Sequence, residues 1–264
     1  MFSGRKPRVI SVTNQKGGVG KTTTTVNLAA ALSRAGKLVA ILDLDPQGNA
    51  STALGFGSDK RSGTAYDLLV KGASVDSVLF ETGLDGLSIV PGSVDLTSAD
   101  LDLSRKKERV SILREIFEKK QEKSISLDYI LIDCPPALNL LTLNALVASD
   151  SVLVPLQAEF LPLEGLSQLM LSVKEIRETA NPKLRFEGIA LTMFDGRNNL
   201  CTQVEADVRV NLKGLVFKTV IPRSVKLSEA PSFGLTIFDY SPRSKGAIAY
   251  RALALEILER HSGL

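Results

Sequence analysis

The residues best equipped for chemistry lie together near the start of the chain, in Asn14-Gln15-Lys16-Gly17-Gly18-Val19-Gly20-Lys21-Thr22-Thr23. An apolar run over residues 9–12 precedes them and reads as a strand, and residues 24–35 carry a helical pattern. A glycine-rich turn between a strand and a helix start points backbone N–H groups inward, and the helix dipole favours negative charge there. Glycines let the backbone approach phosphate oxygens with no Cβ in the way. Residues Lys16, Gly17, Gly18, Val19, Gly20 and Thr23 then form the wall of a phosphate cradle. Lys21 supplies a cation for β- and γ-phosphates, and the Thr22 hydroxyl a ligand for Mg²⁺. ATP with Mg²⁺ is the expected occupant. The bland alternative is a glycine-rich hairpin with two solvated lysines, and the order strand, glycines, lysine, threonine argues against it.

The match to the ordinary P-loop is incomplete. That pattern places a glycine where this chain has Gln15, and here a second lysine, Lys16, stands at the loop start. A dinucleotide-binding fingerprint fits less well, because its third small residue would fall at Thr23.

Phosphoryl transfer needs a metal, an in-line water and cations on developing charge, and two further stretches supply carboxylates. Residues 37–42 read as a strand after a Gly36 helix stop, and Asp43-Leu44-Asp45-Pro46-Gln47-Gly48-Asn49 follows it. Residues 129–132 read as a buried strand ended by Asp133-Cys134-Pro135-Pro136. Asp133 matches a Walker B aspartate that holds Mg²⁺, usually through water. Asp45 is the candidate for positioning the attacking water, and Asp43 for orienting the Mg²⁺ shell. An Asp-Pro turn is the plain alternative for Asp45, and a turn or helix cap for Asp133.

These residues need a scaffold that brings strand ends together. Strand-length apolar runs alternate with helical patterns along the chain. Residues 87–90, 151–155, 186–192 and 215–221 read as further strands. Residues 64–70, 163–179 and 242–260 read as helices, as does a charged segment over 102–123 with Val110, Leu113, Ile116 and Phe117 at core spacing. Its Arg105-Lys106-Lys107 run reads as a solvated face. The alternation implies an α/β fold of the P-loop NTPase type: three layers, a mostly parallel twisted sheet with helices on both faces. The expected domain is single, spanning 1–264, with a short basic tail at 1–8. Ligands of such sheets bind at the carboxyl ends of strands, which is where the glycine loop, Asp43, Asp45 and Asp133 fall.

Composition sets bounds. The 264 residues are 44% hydrophobic, enough for a large core, and the net charge is only +3. Nucleic acid binding must therefore come from local clustering. No run approaches a membrane span, and the basic start is followed by no apolar leader. The two cysteines, Cys134 and Cys201, form no C-x-x-C and read as reduced cytosolic thiols. The one histidine, His261, argues against a His base or metal cluster.

The Lys16-Gly17-Gly18-Val19-Gly20-Lys21-Thr22 form resembles the deviant Walker A motif of ParA/Soj partition proteins, MinD and the nitrogenase iron protein. The resemblance to ParA/Soj extends through Asp45-Pro46-Gln47-Gly48-Asn49, Asp133-Cys134-Pro135-Pro136, Val154-Pro155-Leu156-Gln157-Ala158-Glu159 and Met193-Phe194-Asp195-Gly196-Arg197. It closes with Ile221-Pro222-Arg223-Ser224-Val225-Lys226-Leu227-Ser228-Glu229-Ala230-Pro231-Ser232, so coverage runs from about Arg8 to Arg260. It implies an ATP-dependent DNA-segregation ATPase of chromosome or plasmid, cytoplasmic and nucleoid-associated. Such proteins dimerise on ATP, bind double-stranded DNA nonspecifically and release it when a ParB-type partner stimulates hydrolysis. Lys16 would act across the dimer. Pro222 and Ser224 would lie by the adenine, Ser224 standing where the family often has Asn.

Arg197, Arg223 and Lys226 follow two late strands. If those strands are neighbours, the three form a basic patch near the nucleotide end and become the DNA-contacting candidates; ordinary solvated charges or ion-pair partners are the alternative. A MinD-like membrane role needs a basic amphipathic C-terminal helix. Here Glu256 and Glu259 offset Arg251 and Arg260, so the stripe through Tyr250, Leu253 and Ile257 reads as core and no membrane partner is expected.

Overall fold

The computed structural model of the chain describes residues 6–119, 126–158 and 162–262. The first five residues of the basic tail, the end of the 102–123 segment and Glu159 lie outside the described residues. The strands are β1 Arg8–Val12, β2 Val39–Asp43, β3 Phe80–Glu81, β4 Leu87–Val90, β5 Tyr129–Asp133, β6 Ser151–Gln157, β7 Arg185–Phe194 and β8 Val216–Pro222. The helices are α1 Lys21–Arg34, α2 Asn49–Ala53, α3 Val75–Val78, α4 Ala99–Ser104, α5 Ile112–Glu118, α6 Leu140–Ala148, α7 Pro162–Thr179, α8 Asn199–Asn211, α9 Val225–Glu229, α10 Ile237–Tyr240 and α11 Lys245–Ser262.

All eight strands join one sheet in the order β3-β4-β2-β5-β1-β6-β7-β8. Every pairing is parallel except the two-residue β3 against β4. Successive side chains of a strand face opposite ways, so a strand buried on both faces must be apolar at every position. Ile10, Ile41 and Leu131 pack with Leu28, Leu32, Tyr250 and Leu253 of α1 and α11. Their neighbours Val9, Leu42, Ile130 and Ile132 pack with Leu103, Leu113, Leu141 and Ala145 on the other face. Val152, Val154 and Leu156 of β6 complete the second layer against α7 and α8. The expected three-layer α/β architecture is therefore present. Tyr250, Leu253 and Ile257 are buried, which makes the α11 stripe core packing. No helix among the described residues is long and apolar enough to cross a membrane.

The helix expected over 102–123 is not continuous. It is replaced by α4, a turn over 105–111 and α5. The cause is a buried side chain from elsewhere. Asn144 of α6 accepts from Leu113 N at 3.2 Å and donates to Arg109 O at 2.7 Å, so it satisfies backbone groups that a continuous helix would pair internally. Nor is Arg105-Lys106-Lys107 wholly a solvated face, since Lys106 Nζ donates to the Leu69 and Val70 carbonyls. Those carbonyls belong to a π-helical turn, Asp67–Lys71, into which the short helix expected at 64–70 opens.

Candidate active site

β1 lies between β5 and β6 at the centre of the sheet, and its C-terminal end releases the chain into the glycine loop. Two neighbouring strands hold that loop. Asn14 donates to Pro155 O in β6 at 2.8 Å and accepts from Lys16 N at 3.0 Å. Thr192 of β7 donates to Val19 O at 2.8 Å. Gly20 takes φ 85° at the N-cap of α1, a left-handed conformation that a side chain resists. A Cβ added at Gly17 or Gly18 would meet nothing within 4 Å, so this wall of the loop faces open space where an anion can sit.

Lys21 turns into that space, although only 7% of it is exposed, and its Nζ donates to Lys16 O at 3.0 Å. Burial pulls its ammonium below the ordinary lysine value, while the Asp133 and Asp45 carboxylates pull the other way. Thr22 Oγ1 donates to Asp133 Oδ2 at 2.8 Å, and Thr25 Oγ1 to Asp133 Oδ1 at 3.0 Å. The pairing register sets Val12 and Asp43 both opposite Asp133, so loop start and carboxylates share one level of the sheet.

Asp43 is fully buried. Its Oδ2 accepts from Ser51 N at 2.9 Å and Ser51 Oγ at 2.7 Å, and its Oδ1 accepts from Asp45 N at 3.2 Å. Asp43 thereby anchors the loop that carries Asp45. Gly92 closes in behind it, and a Cβ there would fall 2.8 Å from Asp45 O and 2.9 Å from Asp43 Cγ. Asp45 Oδ1 accepts from Gln47 N at 2.9 Å, which is the turn foreseen as its plain alternative. Its Oδ2 has no hydrogen-bond partner among the described residues and stays available to a water.

Burial pushes both Asp43 and Asp133 above the ordinary carboxylate range. The Asp43 charge adds to this at Asp133 and the Asp45 charge at Asp43, against the hydrogen bonds from Ser51, Thr22 and Thr25. Three carboxylates thus converge where Lys21 is the cation acting on them. A divalent cation beside Thr22 and Asp133 supplies the missing charge, so this donor set fits Mg²⁺. Among the described residues no group of three His, Cys, Asp or Glu side chains could hold a metal unaided. Phosphate oxygens and water must complete its shell.

Next to the loop lies a cavity of about 350 Å³, lined by Gly20, Thr23, Met193, Pro222, Ser224 and Tyr250 among others. It brings Pro222 and Ser224 beside the cradle and is sized for a base. Met193 holds φ 51° at its wall, the one non-glycine residue with positive φ among those described. β7 and β8 are neighbours, with Phe194 opposite Pro222, so the loops bearing Arg197 and Arg223 do meet at this edge. Arg223 N donates to Phe194 O at 3.0 Å. Arg197 makes a two-pronged contact with Asp195 at 3.0 and 2.8 Å and holds that carboxyl down at about 2. Lys226 Nζ donates to Ser241 Oγ at 3.1 Å.

Several residues of the site carry no local signature. Thr25 and Gly92 act through partners far along the chain, and Ser51 through Asp43 at the end of β2. Arg61 is the least legible. Its guanidinium donates to Phe56 O, Gly48 O, Gly92 O and Thr52 Oγ1 at 2.8 to 3.1 Å, clasping the Asp45 loop to the end of β4. Both cysteines are buried, and burial pushes the Cys134 thiol up, so neither is poised to react.

Known proteins share this design. A family model described as an AAA domain matches residues 7–186. The chromosome partitioning protein ParA of Caulobacter vibrioides is 46% identical over 253 residues, covering 96% of this chain and 94% of that protein. The sporulation initiation inhibitor protein Soj of Bacillus subtilis is 46% identical over 252 residues, covering 95% and 98%. Among solved structures, cobyrinic acid a,c-diamide synthase of Mycobacterium smegmatis, with bound ADP and magnesium, superposes with a TM-score of 0.83 at 34% identity, covering 97% of this chain and 96% of that one. With 46% identity over nearly the whole length of both chains, the chain belongs to the ParA/Soj family of chromosome-partitioning ATPases.

Proposed function

We propose that this chain is a Mg²⁺-dependent ATPase that segregates DNA by binding it nonspecifically as an ATP-bound dimer. The observation that carries the reading is the meeting of Lys21, Thr22 and Asp133 at an open glycine wall, with Asp45 across from them. The backbone of Gly17 to Thr22 and the Lys21 ammonium hold the β- and γ-phosphates. Thr22 and Asp133 hold the ion, with Asp43 keeping the Asp45 loop in register beneath it. A Mg²⁺ ion held by Thr22 and Asp133 would offset negative charge on the phosphates. Asp45 orients a water in line with the γ-phosphorus. The new P–O bond forms as the bond to the β-phosphate oxygen breaks, giving ADP and phosphate. The base rests in the cavity between Pro222, Ser224 and Met193.

Lys16 is exposed at the loop mouth, where a second copy of the chain can receive it, and it serves the partner's nucleotide as an arginine finger does in trans. Arg197, Arg223 and Lys226 sit on the nucleotide edge, so pairing two chains doubles their patch and couples DNA affinity to ATP. A ParB-type partner speeds hydrolysis and release, and the protein works in the cytoplasm on the nucleoid. The single domain spans 1–264 in this reading.

Steady-state ATP turnover, measured alone, with duplex DNA and with a ParB-type protein, tests the proposal. Turnover that rises when both are present is expected. Turnover indifferent to DNA and partner together would refute it.

A further inference from the structure

At the end of the sheet away from the glycine loop, the strand beginnings surround a hollow of about 480 Å³. Lys6 and Arg8 enter it at β1, Lys37 before β2, and Lys183 and Arg185 at β7. These five cations face two carboxylates, Asp128 and Asp150. The whole chain has a net charge of +3, an excess this one hollow carries by itself.

Neither carboxylate neutralises its neighbours through a close pair. Asp150 Oδ2 accepts from Val9 N and Asp128 Oδ2 from Leu38 N, both at 2.8 Å. Among the described residues no ion pair joins any of the five cations to a carboxylate. Arg8 Nη1 is buried and has no hydrogen-bond partner among the described residues. A buried guanidinium donor left unmade is costly, and its natural complement is an oxyanion. The wall beside it is firm. His261 meets Tyr129 OH at 3.0 Å and Glu187 Oε1 at 2.9 Å, and Glu187 accepts from Ser151 at 2.6 Å. Cations near helix C-termini commonly answer the helix dipole, and α1, α7 and α11 end on this side. That role asks for exposed charges on a surface; it does not ask for a hollow or a buried, orphaned donor.

We propose that this hollow binds a phosphate-bearing anion, with half-buried Arg8 and Lys37 as its inner contacts and Lys6, Lys183 and Arg185 at the rim. Arginine's planar fork suits phosphate oxygens, and the lysines add charge without fixed geometry. The phosphate belongs either to a DNA backbone or to a free anion. This site is separate from the glycine loop and from the Arg223 patch, so it stands whether or not those assignments hold.

The test uses the full chain, ¹⁵N-labelled and saturated with ADP and Mg²⁺ so that the glycine loop is filled. Inorganic phosphate and a short DNA duplex are titrated separately, with the amides of Arg8, Lys37 and Arg185 followed by NMR. Saturable shifts at these three with phosphate are expected. Affinity should fall on the order of tenfold in Arg8→Gln/Lys37→Gln and also in Lys183→Gln/Arg185→Gln, whose rim positions spare the fold. A duplex that moves the same amides, with a log–log salt slope that lessens in these variants by about 0.9 for each phosphate no longer neutralised, assigns the phosphate to DNA. A duplex that leaves them still while phosphate moves them assigns a free anion. Shifts that do not saturate with either titrant, or that persist unchanged in both double variants, would overturn the proposal.

Discussion

The ends of β1, β2 and β5 and the ends of β7 and β8 lie on one edge of one sheet, yet they handle charge in opposite ways. At the first, Lys21, Asp43 and Asp133 are buried, and each carboxylate oxygen of Asp43 and Asp133 is met by a named donor. At the second, Arg197 has a side chain 91% exposed and leans on Asp195 from its own loop. Burial makes the first region intolerant, because removing one partner leaves another buried and unpaired. Exposure makes the second region forgiving to the fold and adjustable in its affinity. The contrast implies that substitutions at the first should stop chemistry, while those at the second should tune attachment.

The sharpest way to break this contrast is Lys21→Ala. One charge-assisted hydrogen bond is worth roughly 1.5–3 kcal/mol and Lys21 faces two phosphates, so calorimetric ATP affinity should fall at least a hundredfold. Ordinary affinity in this variant would mean that the glycine loop is not the phosphate site. Asp45→Ala should come next, with turnover lower by about 10²–10⁴-fold while ATP binding persists. A phosphate-release assay at the wild-type rate would return Asp45 to being only a turn residue.

Arg223→Glu probes the exposed side. Nonspecific duplex affinity should drop far more than ATP affinity, since Arg223 also borders the base cavity, and the log–log salt slope should lessen by about 0.9 for each phosphate the variant leaves unneutralised. Fluorescence anisotropy at several salt concentrations reads both. A parallel loss of ATP affinity would show that the two regions are not separable. Arg61→Ala sharpens the buried side. With the clasp on the Asp45 loop gone, kcat should fall by roughly tenfold with little change in KM, since about one to two kcal/mol of positioning is lost. Added guanidinium should restore part of the rate, which loosened packing alone would not allow.

The smallest effect concerns Glu187. Burial would raise its carboxyl, but hydrogen bonds from His261 and Ser151 outweigh this and hold it below the ordinary value of 4.5. A lowered carboxylate stabilises the fold above its unfolded-state value, and that contribution disappears as pH falls through the folded one. Thermal melts of the wild type should therefore steepen in acid sensitivity below about pH 4.5, and those of Glu187→Gln should be flatter there. Identical pH profiles would deny the coupling.

Legibility followed the same divide between local and distant causes. Lys21, Thr22 and Asp133 announce themselves because a strand end and a glycine turn are written in consecutive residues. The strands are legible because parallel pairing buries both faces and demands unbroken apolar runs. The break at 105–111 was not legible, because Asn144, which holds it open, stands more than thirty positions further along. Arg61 escaped for a related reason: four of its five bonds go to backbone carbonyls, and a carbonyl leaves no mark in sequence. Ser51 and Gly92 were missed similarly, one binding Asp43 and the other merely being small enough to let Asp43 in.

The central place of β1 also sets a timetable. β1 precedes both of its partners in the chain, pairing with β5 from Arg8 opposite Tyr129 and with β6 from Ile10 opposite Ser151. Its glycine loop is anchored by Pro155 and Thr192, which are synthesised much later. At roughly 5–20 residues per second, the nascent chain holds an unpaired, largely apolar strand for about six to thirty seconds before its neighbours emerge. The nucleotide cradle therefore cannot close early on an incomplete chain. A truncated product ending before β6 should carry the entire lysine-glycine motif and yet lack the two strands that give it shape.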